Sequence, residues 1–132
     1  MAHILIVDDE APIRFLLRTL LESAGHGVFE AQSGRAALDI LEIFPEPFDM
    51  ITLDIYMPRM NGFEFLSILQ NEPFHPCVLV ISAHSDEIPQ ALAHRVNGRL
   101  TKPFRRQELI TTVNSLVNLP SEMPSSQSIQ VY

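Results

Sequence analysis

Apolar positions along the chain change period in a regular way. Residues 4–7, ILIV, form a short unbroken apolar run that ends on Asp8 and Asp9. From residue 12 to 24, Ile13, Leu16, Leu17, Leu20, Leu21 and Ala24 return at helical spacing. That is a strand and then a helix, with Pro12 in the first turn, where a missing N–H costs nothing, and Gly25 just past the end. The alternation continues as GVFEAQ (strand), Gly34 to about Phe44 (helix) and FDMITLD (strand), with Pro45 and Pro47 between the last two. Next come a helix over Gly62 to Asn71, the strand CVLVIS, a weaker helix from about Glu87 to Arg95, the short strand GRLTK and a final helix whose apolar face is Leu109, Ile110, Val113, Leu116 and Val117. Pro89 is tolerable in the weaker helix if Asp86 caps it.

Five strand and helix pairs in strict alternation predict an α/β domain, a mostly parallel five-stranded sheet with helices on both faces. Strands 1, 3 and 4 are almost wholly apolar and belong in the centre, while strands 2 and 5 are mixed or short and belong at the edges. That fits the doubly wound order 2-1-3-4-5. The domain is expected to span residues 1–119. The remainder, PSEMPSSQSIQVY from Pro120, is polar, aperiodic and rich in proline and serine, and reads as a flexible tail over 120–132.

Composition adds bounds. With 132 residues, 46% of them apolar, the chain suits one buried core. Its net charge is −7, and the nine basic residues look scattered apart from Arg105 and Arg106, so direct nucleic-acid binding is not expected. No apolar run approaches a membrane span and the first residues carry no export signal, so the expectation is a cytoplasmic protein with no membrane partner. Cys77 is the single cysteine, which excludes an internal disulfide and suits a small buried filler. The five histidines include no i, i+4 pair, and His75 with Cys77 is too thin a basis for a zinc site. Met57 and Met60 suit packing better than metal ligation.

The chemistry lies at the strand ends. Strand 1 ends on Asp8 and Asp9, strand 3 on Asp54, strand 4 on Ser82 and strand 5 on Lys102, the chain's single lysine. In a parallel sheet these ends share one edge, where open α/β folds place their binding crevice. Taken singly, an aspartate at such a junction caps a helix, Asp54 suits a turn before MPRMNG, and Lys102 suits a surface; together they need another account. Three neighbouring carboxylates resist full ionisation unless a cation joins them, and a hard, oxygen-liking ion such as Mg2+ fits. A shielded carboxylate can then attack phosphorus and form an acyl phosphate, with Lys102 and Ser82 meeting the oxygens of the transferring group.

ILIVDDE, LDIYMPRMNGFEFL, VLVISA and LTKPF, in this order and spacing across about residues 3–118, resemble the receiver domain of two-component response regulators. The resemblance implies the flavodoxin-like order 2-1-3-4-5, already known from flavodoxin and from a chemotaxis receiver. It implies Asp54 as phosphoacceptor, and Asp9, Asp54 and the Tyr56 backbone carbonyl as Mg2+ ligands. Asp8 would hold the metal's waters or join its shell. Ser82 would be the hydroxyl that swings toward the phosphoryl group, Lys102 the cation that pairs with it, and Lys102–Pro103 a cis peptide. The implied donor is a phosphohistidine on a sensor histidine kinase or histidine phosphotransfer protein. The implied output is contact with a downstream protein or relay to a further histidine, and the protein is not expected to be an enzyme in its own right.

One position departs from the family's habit: three residues before the lysine, where an aromatic or histidine usually rotates as part of the switch, stands Arg99. The strand 5 face is then expected to be read through a charge. Tyr56 and His84 are expected to flank the approach of hydrolytic water. Two other readings stay open: a receiver cut from a longer regulator, and a magnesium-dependent phosphatase with Asp54 as nucleophile.

Overall fold

The computed structural model describes residues 1–44, 47–72 and 76–117. Expectations for Pro45, His75, the domain limit at residue 119 and the tail from Pro120 fall outside these residues. Ten elements follow one another: β1 His3–Val7, α1 Ala11–Ser23, β2 Gly27–Ala31, α2 Gly34–Ile43, β3 Met50–Leu53, α3 Gly62–Leu69, β4 Cys77–Ser82, α4 Gln90–Ala93, β5 Gly98–Thr101 and α5 Arg106–Val117. All neighbouring strands pair in parallel, in the order β2-β1-β3-β4-β5.

Successive side chains of a strand point to opposite faces, and here both faces are apolar because both are covered. Leu5, Val7, Ile51, Leu53, Val78 and Val80 meet Ala37 of α2, Phe65, Leu66 and Leu69 of α3, and Leu92 of α4. Ile4, Ile6, Met50, Leu79, Ile81 and Leu100 meet Leu17 and Leu21 of α1 and Leu109 and Val113 of α5. This double burial is why the strands read as unbroken apolar runs.

Helix ends follow their local chemistry. Ser33 caps α2 by accepting the Ala36 N–H at 3.0 Å, and Asn61 with Glu64 forms a reciprocal capping box on α3. Gly25 takes φ +95°, the left-handed turn that follows α1.

The weak fourth helix is shorter than its sequence suggests. It runs only over Gln90–Ala93, and Asp86 does not cap it; Pro89 stands at the N-cap with ψ 140°. Proline pushes the residue before it out of the helical region and brings no N–H. Residues 84–87 turn instead, with the Glu87 N–H bonded to the His84 carbonyl at 3.0 Å. Among the described residues no helix is long and apolar enough to cross a membrane.

Candidate functional site at the carboxyl ends of the strands

The sheet's backbone ladder runs one residue beyond the strands. Asp8 N–H bonds the Ala31 carbonyl at 3.2 Å, Asp54 N–H the Val7 carbonyl at 3.0 Å, and Lys102 N–H the Ser82 carbonyl at 3.0 Å. Each bond pins a chemical residue on the first position past a strand, so all of them face one crevice. Only 2% of Asp8 and 7% of Asp54 is exposed, despite their charge.

Burying carboxylates requires compensation. Lys102 supplies it. Its Nζ lies 2.9 Å from Asp8 Oδ2, 3.5 Å from Asp54 Oδ2 and 3.7 Å from Glu10 Oε1. Burial alone would lower the Lys102 pKa, yet the hydrogen bond to Asp8 and the charges of Asp8, Asp54 and Glu10 outweigh it and the pKa is raised. Asp54 moves above the ordinary carboxylate value. Burial is the largest cause; the Lys102 charge opposes it, the Asp8 charge adds to it, and the Tyr56 backbone N–H pulls the other way. One ammonium therefore neutralises only part of a three-carboxylate cluster.

That cluster is Asp8, Glu10 and Asp54, each offering one oxygen within 4.8 Å of the others. Three hard oxygen donors in this spacing fit a divalent ion of the magnesium kind. Asp9 is exposed and is not one of the three. Sequence reasoning missed Glu10, whose position before α1 looks like that of a capping acid. As the N-cap residue it makes no side-chain cap bond, and so its carboxylate is available to the crevice. Asp8 Oδ1 accepts the Glu10 N–H at 2.9 Å, and Arg14 Nη1 donates to the Asp8 carbonyl at 2.8 Å.

The loop after β3 is shaped to keep Asp54 in place. Gly62 approaches so closely that a Cβ there would sit 2.8 Å from both the Asp54 carbonyl oxygen and the Ile55 Cα. Arg59 adopts φ +70°, a left-handed conformation costly for a residue with a side chain. Met57 is buried, and Met60 packs its sulfur toward Gly34 at the start of α2, so both methionines serve packing.

Ser82 is buried at the end of β4, and its Oγ accepts the His84 N–H at 3.2 Å. Ser85 and Thr101 share a 2.6 Å hydrogen bond that ties the β4–α4 loop to β5. The Lys102–Pro103 peptide is cis. Arg99 is exposed on β5 between the half-buried Gly98 and the buried Leu100. Cys77 is half-buried, and burial pushes its thiol up to about 11, which leaves it inert.

A second group spans the mouth. Tyr56 donates its hydroxyl to Glu87 Oε1 at 2.6 Å, His84 Nδ1 lies 3.4 Å from Glu87 Oε2, and the Tyr56 and His84 rings meet edge to face at 5.2 Å. Glu87 was not singled out from the sequence, where it appears as one more acid at a helix start. It fastens the loop after β3 to the loop after β4.

Comparison with known proteins agrees with this fold. A probable transcriptional regulatory protein of Picosynechococcus sp. is 36% identical over 124 residues, 88% of this chain and 49% of its own length. The chain spans about half the length of the curated relatives it matches. A response regulator receiver domain protein from Clostridium thermocellum superposes with a TM-score of 0.79 at 28% identity, covering 89% of this chain and 95% of its own. The response regulator TrrA of Thermotoga maritima, solved in complex with Mg2+ and BeF, gives 0.77 at 29% identity over 88% of this chain and 99% of its own. The family model for the response regulator receiver domain matches residues 4–114, and the chain belongs to that family of two-component signalling proteins.

Proposed function

We propose that Asp54 is the acceptor of a phosphoryl group from a phosphohistidine, on a sensor kinase or a phosphotransfer protein, and that the modified domain changes its protein contacts. The observation that carries this reading is the position of Asp54 itself, buried at a strand end, 3.5 Å from the lone lysine and beside two further carboxylates. An Asp54 carboxylate oxygen forms the new P–O bond while the P–N bond to the donor imidazole breaks. The imidazole nitrogen leaves with the electron pair.

Lys102 meets the charge of the transferring group, and the Ser82 hydroxyl donates to one of its oxygens. Asp8, Glu10 and Asp54 would hold Mg2+, and Asp9 and the Tyr56 carbonyl are the further ligands that the family resemblance implies. When bound, the ion offsets the negative charge that accumulates around phosphorus. Contacts made only with the phosphoryl group supply the free energy that shifts the conformational balance. The β4–α4 loop, β5 and Arg99 are the parts that report the change. Such a module acts in the cytoplasm.

The curated relatives are about twice as long. This supports a second reading of the output, in which the same receiver governs a further domain of a longer regulator instead of acting alone; the chemistry at Asp54 is common to both.

Intact mass after incubation with Mg2+ and acetyl phosphate tests the acceptor. One phosphoryl adduct that requires Mg2+ and disappears in Asp54→Asn is the expected result. An adduct that survives the substitution overturns the assignment.

A further inference from the structure

Asp8 is held at every polar atom it has. Its N–H bonds the Ala31 carbonyl at 3.2 Å, its own carbonyl accepts from Arg14 Nη1 at 2.8 Å, its Oδ1 accepts the Glu10 N–H at 2.9 Å, and its Oδ2 meets Lys102 Nζ at 2.9 Å. Of these partners only Arg14 reaches the site as a side chain of a helix, and it does not act by itself.

Arg14 Nε donates to Glu30 Oε1 on β2 at 3.2 Å. Glu30 Oε2 accepts from Arg18 Nε, and Arg18 Nη1 donates to Glu22 Oε2 at 2.8 Å. Arg14, Arg18 and Glu22 stand four residues apart and share one face of α1. The Glu30 carboxyl is held below its ordinary pKa, chiefly by the Arg18 hydrogen bond, with burial opposing and Arg14 assisting. It is therefore a carboxylate at neutral pH.

Two consecutive residues of β2 thus act on both sides of the Asp8 α-carbon. Ala31 holds the peptide that enters it, and Glu30, through Arg14, holds the peptide that leaves it for Asp9. With both peptides pinned, the direction of the Asp8 side chain is set. Arginine suits the task because its planar guanidinium sends Nε one way and Nη1 another, whereas a lysine has one nitrogen for both partners. Stability is a poor account of the network. Partly exposed ion pairs contribute roughly 0–1 kcal/mol, and Leu17 and Leu21 already bury α1 against the sheet.

We propose that Glu30 and Arg14 are positioning residues of the acidic site: Glu30 aims Arg14, Arg14 fixes the Asp8 carbonyl, and together they set the affinity for Mg2+. The inference rests on the reading of the crevice as a Mg2+ site. Charge and geometry predict opposite signs at Arg14. Removing a cation beside three carboxylates favours a divalent ion by charge alone. Removing the brace frees the peptide between Asp8 and Asp9 and disfavours it, and losses of about 10–100-fold in metal affinity are usual when a ligand's supporting partner is removed.

The test is calorimetric titration of the full chain with Mg2+ and no phosphodonor, with urea unfolding of each variant beside it. Arg14→Ala should bind Mg2+ at least about fivefold more weakly, Glu30→Ala should do so in the same direction, and the double variant should be no worse than Arg14→Ala, because one residue acts through the other. Arg14→Lys, which keeps the charge, should also bind more weakly, and Glu30→Gln, which keeps an acceptor for Arg14, should lie nearer to native. Glu22→Ala removes the same charge as Glu30→Ala without touching Arg14, and should bind as the native chain does. Native or tighter binding by Arg14→Ala, multiplying losses in the double variant, or a lowered urea midpoint with unchanged Mg2+ affinity overturns the proposal. A native chain that binds no Mg2+ overturns it together with the reading of the crevice. If the native chain binds Mg2+ and the variants follow this order but no adduct forms at Asp54, the acceptor assignment falls and this inference stands.

Discussion

Replacing the proposed acceptor with its neutral isostere, Asp54→Asn, should make the metal-free protein more stable at neutral pH. Asp8 and Asp54 present oxygens no more than 4.8 Å apart, which at an effective dielectric of about 20 is a repulsion of roughly 3.5 kcal/mol. Glu10, largely exposed, adds a screened fraction of that. Against this, Lys102 at 3.5 Å attracts Asp54 by roughly 4.7 kcal/mol on the same scale. The Coulomb contributions nearly cancel. What remains is dehydration, several kcal/mol for a buried carboxylate against roughly 1–3 kcal/mol for a buried amide. The variant should gain about 1–3 kcal/mol, read as a higher urea midpoint at unchanged slope.

The pH dependence carries its own sign. The folded-state pKa of Asp54 is raised, so its contribution to stability is fully present below the ordinary carboxylate value and is lost as pH rises through the raised one. The variant's advantage should therefore be largest near neutrality and shrink as pH falls into the carboxylate range. Saturating Mg2+ should offset most or all of that advantage, because an ion at a hundredfold its Kd adds about 2.7 kcal/mol to the form that binds it. A variant less stable than the native chain at neutral pH without metal, or an advantage that grows on acidification, would refute the reasoning.

Three other outcomes are expected. Gly62→Ala places a methyl group 2.8 Å from backbone atoms of residues 54 and 55, and should cost about 1–3 kcal/mol in urea unfolding and slow adduct formation at Asp54, by mass, because the acceptor's own backbone must shift. Thr52 is buried in β3 with no partner for its hydroxyl among the described residues; Thr52→Val should raise stability by about 1 kcal/mol, seen as a shift in the urea midpoint. Glu87→Ala releases both Tyr56 and His84, and should change the decay rate of the Asp54 adduct, as should Tyr56→Asn, with Glu87→Gln nearer to native because its amide still accepts from the tyrosine hydroxyl; unchanged decay in both Glu87→Ala and Tyr56→Asn would remove these residues from any role in water access.

The central strands could be read from sequence because both faces of the sheet are buried, which leaves ILIV and CVLVIS no polar interruption until the edge where the chemistry begins. The helix after β4 could not be read to its true length: four residues, QALA, are too few to show a period, which leaves proline at position 89 as the strongest local signal, and proline acts on the residue before it. Glu10 was hidden for a different reason. An acid just before a helix has an ordinary use as a cap, and only the positions of Asp8, Asp54 and Lys102 show that its carboxylate faces the crevice.

The ladder bonds that extend past the strands divide the crevice into two mechanical classes. Asp8, Asp54 and Lys102 have amides held by neighbouring strands, so their spacing can change only if the sheet itself opens. Tyr56, His84 and Glu87 stand on loops, and Tyr56 is tied to the other two through side chains alone. The proposed chemistry and its proposed timing thereby rest on separate supports: on that reading, loop residues could be exchanged to lengthen or shorten a signal while the backbone positions of Asp8, Asp54 and Lys102 stay fixed.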